Sequence, residues 1–270
     1  MEEVIDASKR RLFDWAELWR FRELFYFFTW RDVKIKYKHT LLGILWAVLQ
    51  PLLITAILTV FGKSLRIDTH GLSYELFVFA GLLIWNIFST GLINASNSII
   101  SNATIIRKIY FPRLVIPVCS ILVALFDFLI ASILLIPVLI WFGQSIHWDM
   151  VWAWPAGIIM AVLGTLGPGC WLAALNIKYR DFRYIVPFVV QVLFFVSPVI
   201  YPLSLIKVPA LQNLLAASPA YGAIQLFRAP LTGDWGDTNF LLISVLSTII
   251  LLLLGIAYFK RTEDTFGDLA

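Results

Sequence analysis

Charge is the scarce ingredient of this 270-residue sequence. Asp, Glu, Lys and Arg make up 14% of it, against about 25% in an ordinary soluble domain. Cysteine is rarer still: Cys119 and Cys170 both lie inside apolar runs and read as small buried hydrophobes rather than a disulfide or metal pair. The histidines, His39, His70 and His147, are scattered, and no His-x-x-x-His or Cys-x-x-Cys pair occurs. A metal cluster is therefore not expected. A phosphate-cradling loop is missing too. Gly62-Lys63-Ser64 looks like the end of one, but the pattern needs a glycine where Ile57 stands in an apolar run. ATP is not bound through such a loop here, and nothing in the sequence supports catalysis by this chain itself.

Hydrophobic residues fill the space that charge leaves. They make up 60% of the chain, and aromatics alone 15%, with 11 Trp, 9 Tyr and 21 Phe. A soluble fold of this length cannot hide so much apolar surface, so the sequence reads as an integral membrane protein. A spanning helix needs about 20 mostly apolar residues. Runs over 41–62, 76–100, 150–175, 184–206 and 240–259 meet that, and a sixth over 114–142 carries Asp127 near its middle. The stretch 208–227 is uncharged but holds Pro209, Pro219 and Gly222. It is expected to form two short helices that dip into the outer leaflet and return, which requires protein or water around their irregular backbone.

Positive charge orients the chain. With six spans and an inside N-terminus, 17 Lys and Arg fall inside, against Lys63, Arg66, Lys207 and Arg228 outside. No cleavable signal is expected, because the first 40 residues are charged throughout. Residues 14–38 instead suit a helix along the membrane surface. Leu18, Phe21, Phe25 and Phe28 recur at helical spacing, and Trp15, Trp19 and Trp30 offer rings for the headgroup level. The basic excess points to anionic lipid headgroups, and nucleic acid is not an expected partner.

Asp127 is the one charge expected at bilayer depth. It reads either as a proton or substrate relay, or as a helix–helix hydrogen bond or protonated carboxyl facing the bundle; the lack of further such groups along a path favours the structural role. Asn86, Asn94, Asn97 and Gln191 suit interhelical contact, and Gly164, Gly167, Pro168 and Gly169 suit close packing and a kink. The inside loops, 101–113 and 176–183, are too short for a soluble domain. The first mixes apolar and basic residues before Pro112. It fits a short surface helix for a partner's cleft, or an ordinary positive-inside loop.

At this point the residues resemble a family. Arg31-Asp32-Val33-Lys34-Ile35-Lys36-Tyr37-Lys38-His39-Thr40-Leu41-Leu42-Gly43-Ile44-Leu45-Trp46, followed by Pro51, is similar to the opening signature of polysaccharide-exporting ABC transporter permeases of the ABC-2 group. Later segments match in the same order: Lys108-Ile109-Tyr110-Phe111-Pro112-Arg113 with Pro117, Asn176 to Phe182, Ser197-Pro198-Val199-Ile200-Tyr201-Pro202, and Phe259 to Phe266. The resemblance runs over about residues 20–268.

It implies an all-α membrane protein with an N-terminal amphipathic interface helix, six transmembrane helices and a re-entrant helical hairpin between the fifth and sixth spans. Residues 1–40 would form the cytoplasmic interface segment, 41–259 the transmembrane domain and 260–270 a cytoplasmic tail. It also implies a homodimer in the inner membrane, with both termini cytoplasmic. Two separate ATP-binding subunits would hold ATP and Mg, with no cofactor in this chain. The cargo would be a glycan on a polyprenyl diphosphate lipid. The resemblance then gives Ile106, Arg107, Lys108, Tyr110, Phe111 and Arg113 as candidates for ATPase coupling. Arg31, Lys34, Lys36 and Lys38 suit the diphosphate at the inner leaflet, or equally plain headgroup binding. Trp46, Phe194, Phe195 and Tyr201 are candidate channel lining for a sliding glycan, or else interfacial packing. Teichoic acid, capsule, lipid and drug remain alternative cargoes. An independent membrane enzyme or ion-driven carrier is disfavoured by the absent catalytic groups.

Overall fold

A computed structural model describes residues 15–38, 43–65, 67–69, 71–144, 147–263 and 266. The start of the expected interface segment, the 39–42 junction and the end of the tail lie outside the described residues. Those described are helical or in connecting turns. In chain order the helices are α1 (Trp15–Arg20), α2 (Arg22–Lys38), α3 (Gly43–Leu65), α4 (Tyr74–Ser101), α5 (Ala103–Ile106), α6 (Val115–Ser132), α7 (Leu135–Trp141), α8 (Met150–Lys178), α9 (Phe182–Val196), α10 (Pro209–Ala216), α11 (Pro219–Thr232) and α12 (Thr238–Thr262).

Among the described residues, five helical runs are long and apolar enough to cross a membrane: Gly43–Gly62, Tyr74–Ser101, Val115–Trp141, Met150–Lys178 and Thr238–Thr262. The third is α6 and α7 in series, interrupted at Ile133 and Leu134. Pro137 explains the interruption, since it lacks an N–H and its ring crowds the carbonyl four residues back.

The stretch expected as the fifth span, 184–206, is helical only in part. It is not one helix: α9 stops at Val196, about 22 Å long and short of a hydrocarbon core of about 30 Å. Ser197 turns to φ −74°, ψ 148° because Pro198 follows it. The chain then passes a single 3-10 turn, Leu203–Leu205, before α10. Two short helices do occupy 208–227, but they part at Ala217 and Ser218, with Pro219 opening α11. Gly222 lies inside α11 and breaks nothing.

The core forms around α4, most of which is buried. It packs against α3, α6, α8, α9 and α11, while α8 also holds α11 and α12. Small residues allow these approaches. A Cβ on Gly255 of α12 would strike the backbone of Gly167 of α8, and a Cβ on Gly169 would strike Ala95 of α4. Asn176 of α8 donates to the Ser96 carbonyl (3.0 Å) and to Asn97 Oδ1 (2.9 Å), so Asn97 makes the interhelical contact its chemistry suggested. Ser244 of α12 donates to the Ser218 carbonyl (2.7 Å) and accepts from the Gly222 N–H (3.0 Å), tying α12 to α11.

Gly255→Leu forces α12 away from α8 and should destabilise the fold by about 1–3 kcal/mol or more, the scale of core overpacking. A lowered melting temperature of the purified protein in detergent is the expected result, and an unchanged one would show that the two backbones need not touch.

Candidate functional site

Two constructions at opposite ends of the helices gather most of the unusual side chains. The first surrounds the loop between α4 and α6. Asn102 ends α4 and opens α5: its N–H lies 3.2 Å from the carbonyls of Ser98 and Ile99, while its carbonyl accepts from Ile105 and Ile106. The chain beyond α5 frames a cleft of about 220 Å³ lined by Ile106 to Phe111 and Arg113. The residues expected for coupling divide. Ile106 and Phe111 are buried anchors. Arg107, Lys108 and Tyr110 are exposed, together with Ile109, which was not among the coupling candidates. Ile109 is 62% and Tyr110 70% exposed, an apolar tip that directly follows two cations. Partial desolvation and the nearby Glu17 carboxylate raise the Tyr110 phenol above its ordinary value.

Arg113 faces inward instead. Its guanidinium donates to the Glu263 carbonyl and lies 6.0 Å from the Phe266 ring centre, and its N–H donates to Glu263 Oε1 at 3.0 Å. Lys260 pairs with the same carboxylate at 3.0 Å. Phe266 is buried against Phe259. The residues after α12 therefore grip one end of the loop.

α2 grips it from the other side. Phe28 meets Phe111 (ring centres 5.5 Å), Arg31 lies over the Phe28 ring (4.9 Å), and Arg31 Nη2 donates to Asn102 Oδ1 at 2.7 Å. Arg31 also pairs with Asp32 at 2.7 Å. The four cations expected for an inner-leaflet diphosphate are thus unlike one another. Arg31 is half-buried and engaged, Lys34 is exposed over the Trp30 ring (5.3 Å), and Lys38 is exposed. Lys36 forms an ion pair with Asp127, which also accepts from the Tyr37 hydroxyl. Burial and the adjacent carboxylate push the Tyr37 phenol far up, keeping it a donor.

Asp127, expected without a charged partner, therefore meets two donors from α2. It lies twelve residues into α6, about 18 Å along the axis. Nearer the start of α6, the Cys119 thiol donates to the Phe25 carbonyl at 3.6 Å. α2 thus climbs beside α6, with Phe25 at the level of Cys119 and Lys36 at the level of Asp127.

The second construction sits where α9 ends. The carbonyls of residues 196–200 have left the helix ladder, and each finds a donor. Val196 accepts from the Tyr201 hydroxyl (2.6 Å), Ser197 from the Val199 N–H (2.7 Å) and Ile200 from the Tyr74 hydroxyl (3.0 Å). Pro198 and Val199 both accept from Arg228 of α11, Pro198 at 2.9 Å. Arg228 Nε donates to the Phe77 carbonyl of α4 (2.9 Å), and the guanidinium lies 3.7 Å from the Phe77 ring centre. Arg228 is only 3% exposed. Gly81 makes the room, since a Cβ there would collide with this guanidinium. A cavity of about 20 Å³ adjoins it, lined by apolar residues such as Ile224 and by Gln225 and Asp234, with room for one water.

Sequence reading counted Arg228 as an outside topology charge. The signal that marks it is a lone cation ending an otherwise uncharged stretch, between Phe227 and Ala229-Pro230. The aromatics expected to line a path are not one cluster. Trp46 starts α3 and is 51% exposed, whereas Phe194 and Phe195 end α9, with ring centres 5.2 Å apart. Phe194 leans on Trp85 of α4, and Phe195 points outward, 58% exposed. Among the described residues no ring contact joins Trp46 to the others.

The long apolar helices define a multi-pass membrane protein, and the short loop between α4 and α6 presents basic residues and an apolar tip. The sequence profile of ABC-2 type transporters matches residues 23–232, and the chain belongs to that family. It is accordingly a multi-pass permease subunit without an ATPase domain. Among curated proteins it is similar to the O-antigen export system permease protein RfbA of Klebsiella pneumoniae, with 28% identity over 242 residues, 88% of this chain and 92% of that one. RfbA of Myxococcus xanthus is 27% identical over 255 residues, covering 93% and 97%. The polysialic acid transport protein KpsM of Escherichia coli is 25% identical over 246 residues, covering 87% and 91%.

Arg228→Met leaves the buried carbonyls of Pro198 and Val199 without donors, at about 1–3 kcal/mol each, and takes from the Phe77 carbonyl the donor it has beyond its place in α4. The melting temperature in detergent should fall sharply, and Arg228→Lys should recover little of it, because a compact ammonium does not spread its donors over the three carbonyls as the planar guanidinium does. Gly81→Ala, which displaces the guanidinium without removing it, should give the same defect; wild-type stability in that variant would show the clasp to be dispensable.

Proposed function

We propose that this chain is the membrane permease of an ABC transporter that exports a lipid-linked polysaccharide, an O-antigen-like glycan on a polyprenyl diphosphate, across the bacterial inner membrane. The observation that carries this reading is similarity over nearly the whole chain to permeases named for O-antigen export and polysialic acid transport. Two copies form the pathway, and two ATP-binding subunits dock from the cytoplasm and hold ATP and Mg.

In this reading the N- and C-termini are cytoplasmic and the chain crosses six times. α9 serves as the short fifth crossing, completed by the extended segment after Val196, and α10 with α11 forms the re-entrant pair. Arg228 makes such an arrangement physically reasonable, since irregular backbone at membrane depth needs protein donors. Docking of the ATPase falls to the exposed loop residues Arg107, Lys108, Ile109 and Tyr110. Lys34, Lys36 and Lys38 load the diphosphate, whose charge suits a cationic inner-leaflet site. Trp46, Phe195 and Tyr201 offer ring faces on which sugars slide by apolar C–H contact. Tyr201 does so with its hydroxyl already engaged by Val196.

Deleting the gene should leave a completed surface glycan inside the cytoplasm and deplete it from the envelope. Fractionation and sugar analysis would then identify the repeat; a normal surface glycan, with a lipid or drug retained instead, would overturn the polysaccharide assignment. Reversing charge at Arg107 and Lys108 should cut ATP-driven export in proteoliposomes by at least about tenfold, the scale of a lost interfacial contact. Membrane insertion should be unaffected, and unimpaired export would remove the docking role.

A further inference from the structure

The coupling loop and the lysines beside Asp127 are joined by one helix. Resting on the permease reading above, we infer that α2 relays motion of the cytoplasmic loop to the diphosphate-loading lysines. Arg31 is in this account the positioning residue that couples them, rather than one of the lysines' equals.

The geometry singles out Arg31 for four reasons. Its guanidinium is already shared between Asp32 and Asn102 and lies over the Phe28 ring. It is half-buried, while Lys34, Lys36 and Lys38 are exposed. Its partner Asn102 occupies the pivot between α4 and α5. Asn102 Nδ2 donates to the Ser98 carbonyl of α4 (2.9 Å), its main-chain carbonyl starts α5, and its Oδ1 holds Arg31. A rotation of α5 against α4 therefore acts on α2 through that side chain.

The far end of the loop touches α2 as well, through Phe111 against Phe28. With both ends of the loop on one helix, a displacement by the docked partner moves α2 as a body. Lys36 and Tyr37 lie five and six residues beyond Arg31, about 8–9 Å along a stiff helix. There they hold Asp127 of α6. Moving α2 along α6 changes that ion pair, freeing Lys36 toward an incoming anion or drawing it back to the carboxylate. Asp127 in this scheme stands in for the diphosphate between transport events.

The test uses the full permease with its ATPase subunits in proteoliposomes. Asn102→Ala removes no charge and touches no loading lysine. It should keep basal ATP hydrolysis while lowering glycan exported per ATP by about tenfold, the scale of one charge-assisted hydrogen bond. Arg31→Lys should lower it equally, because an ammonium does not bridge Asp32 and Asn102 together. The double variant should be no worse than either single one, as expected for two residues acting through one contact. Normal export by Asn102→Ala, or full multiplication of the two defects, would make Arg31 a mere headgroup cation and overturn the relay.

A second readout needs no glycan. Trapping nucleotide in the partner should change amide hydrogen exchange across residues 22–38 in the wild type and leave it unchanged in Asn102→Ala. Exchange in that helix that ignores nucleotide in the wild type would refute the relay, whatever the cargo proves to be. A wild type that responds to nucleotide yet moves no glycan would instead refute the cargo reading alone.

Discussion

A main-chain carbonyl released from a helix has to find a donor, and among apolar side chains it cannot take one from water. That requirement organises the end of α9. Five consecutive carbonyls leave the ladder there, and Tyr201, Val199, Arg228 and Tyr74 answer them between them. The guanidinium does the most, because its fixed fork reaches two of the five and the Phe77 carbonyl of α4 together. α4, α11 and the chain after α9 are thereby fastened at one point. The absent side chain of Gly81 and the ring of Phe77 shape the space around it.

The opposite end of the bundle is built on a different principle. The loop there is short and carries an exposed apolar tip, yet its roots are held firmly. Phe28 and Arg31 brace it from α2, and Glu263 with Phe266 brace it from beyond α12. α12 in turn lies directly on the backbone of α8 at Gly255 and Gly167. A force applied at the tip reaches several helices together, which is what a subunit with an external motor requires.

The five long helices were legible in the sequence because hydropathy reports partition into lipid, and runs of about 20 apolar residues have few other uses. Hydropathy is blind to backbone continuity. The segment 197–206 is uncharged and still largely apolar, so the stop at Ser197 was hidden although Pro198 stood in plain view. Asp127 looked isolated because Lys36 and Tyr37 precede it by about ninety residues. Arg31 was recognisable as a cation beside other cations, but its partner is an asparagine in a separate loop. Arg228 was hardest to read, since its partners are main-chain carbonyls and no side-chain pattern marks those.

The order of residues along the chain bears on how these charges reach apolar surroundings during synthesis. Every acceptor of Arg228 lies earlier in the sequence, by 29, 30 and 151 residues. A protein made from its N-terminus has therefore already produced the receptor for this guanidinium when α11 emerges. Asp127 follows the same rule with the signs exchanged: the cation and phenol that receive it are made first. Each of these two charges is the last member of its group to be translated, and so neither has to wait in lipid for a partner not yet made.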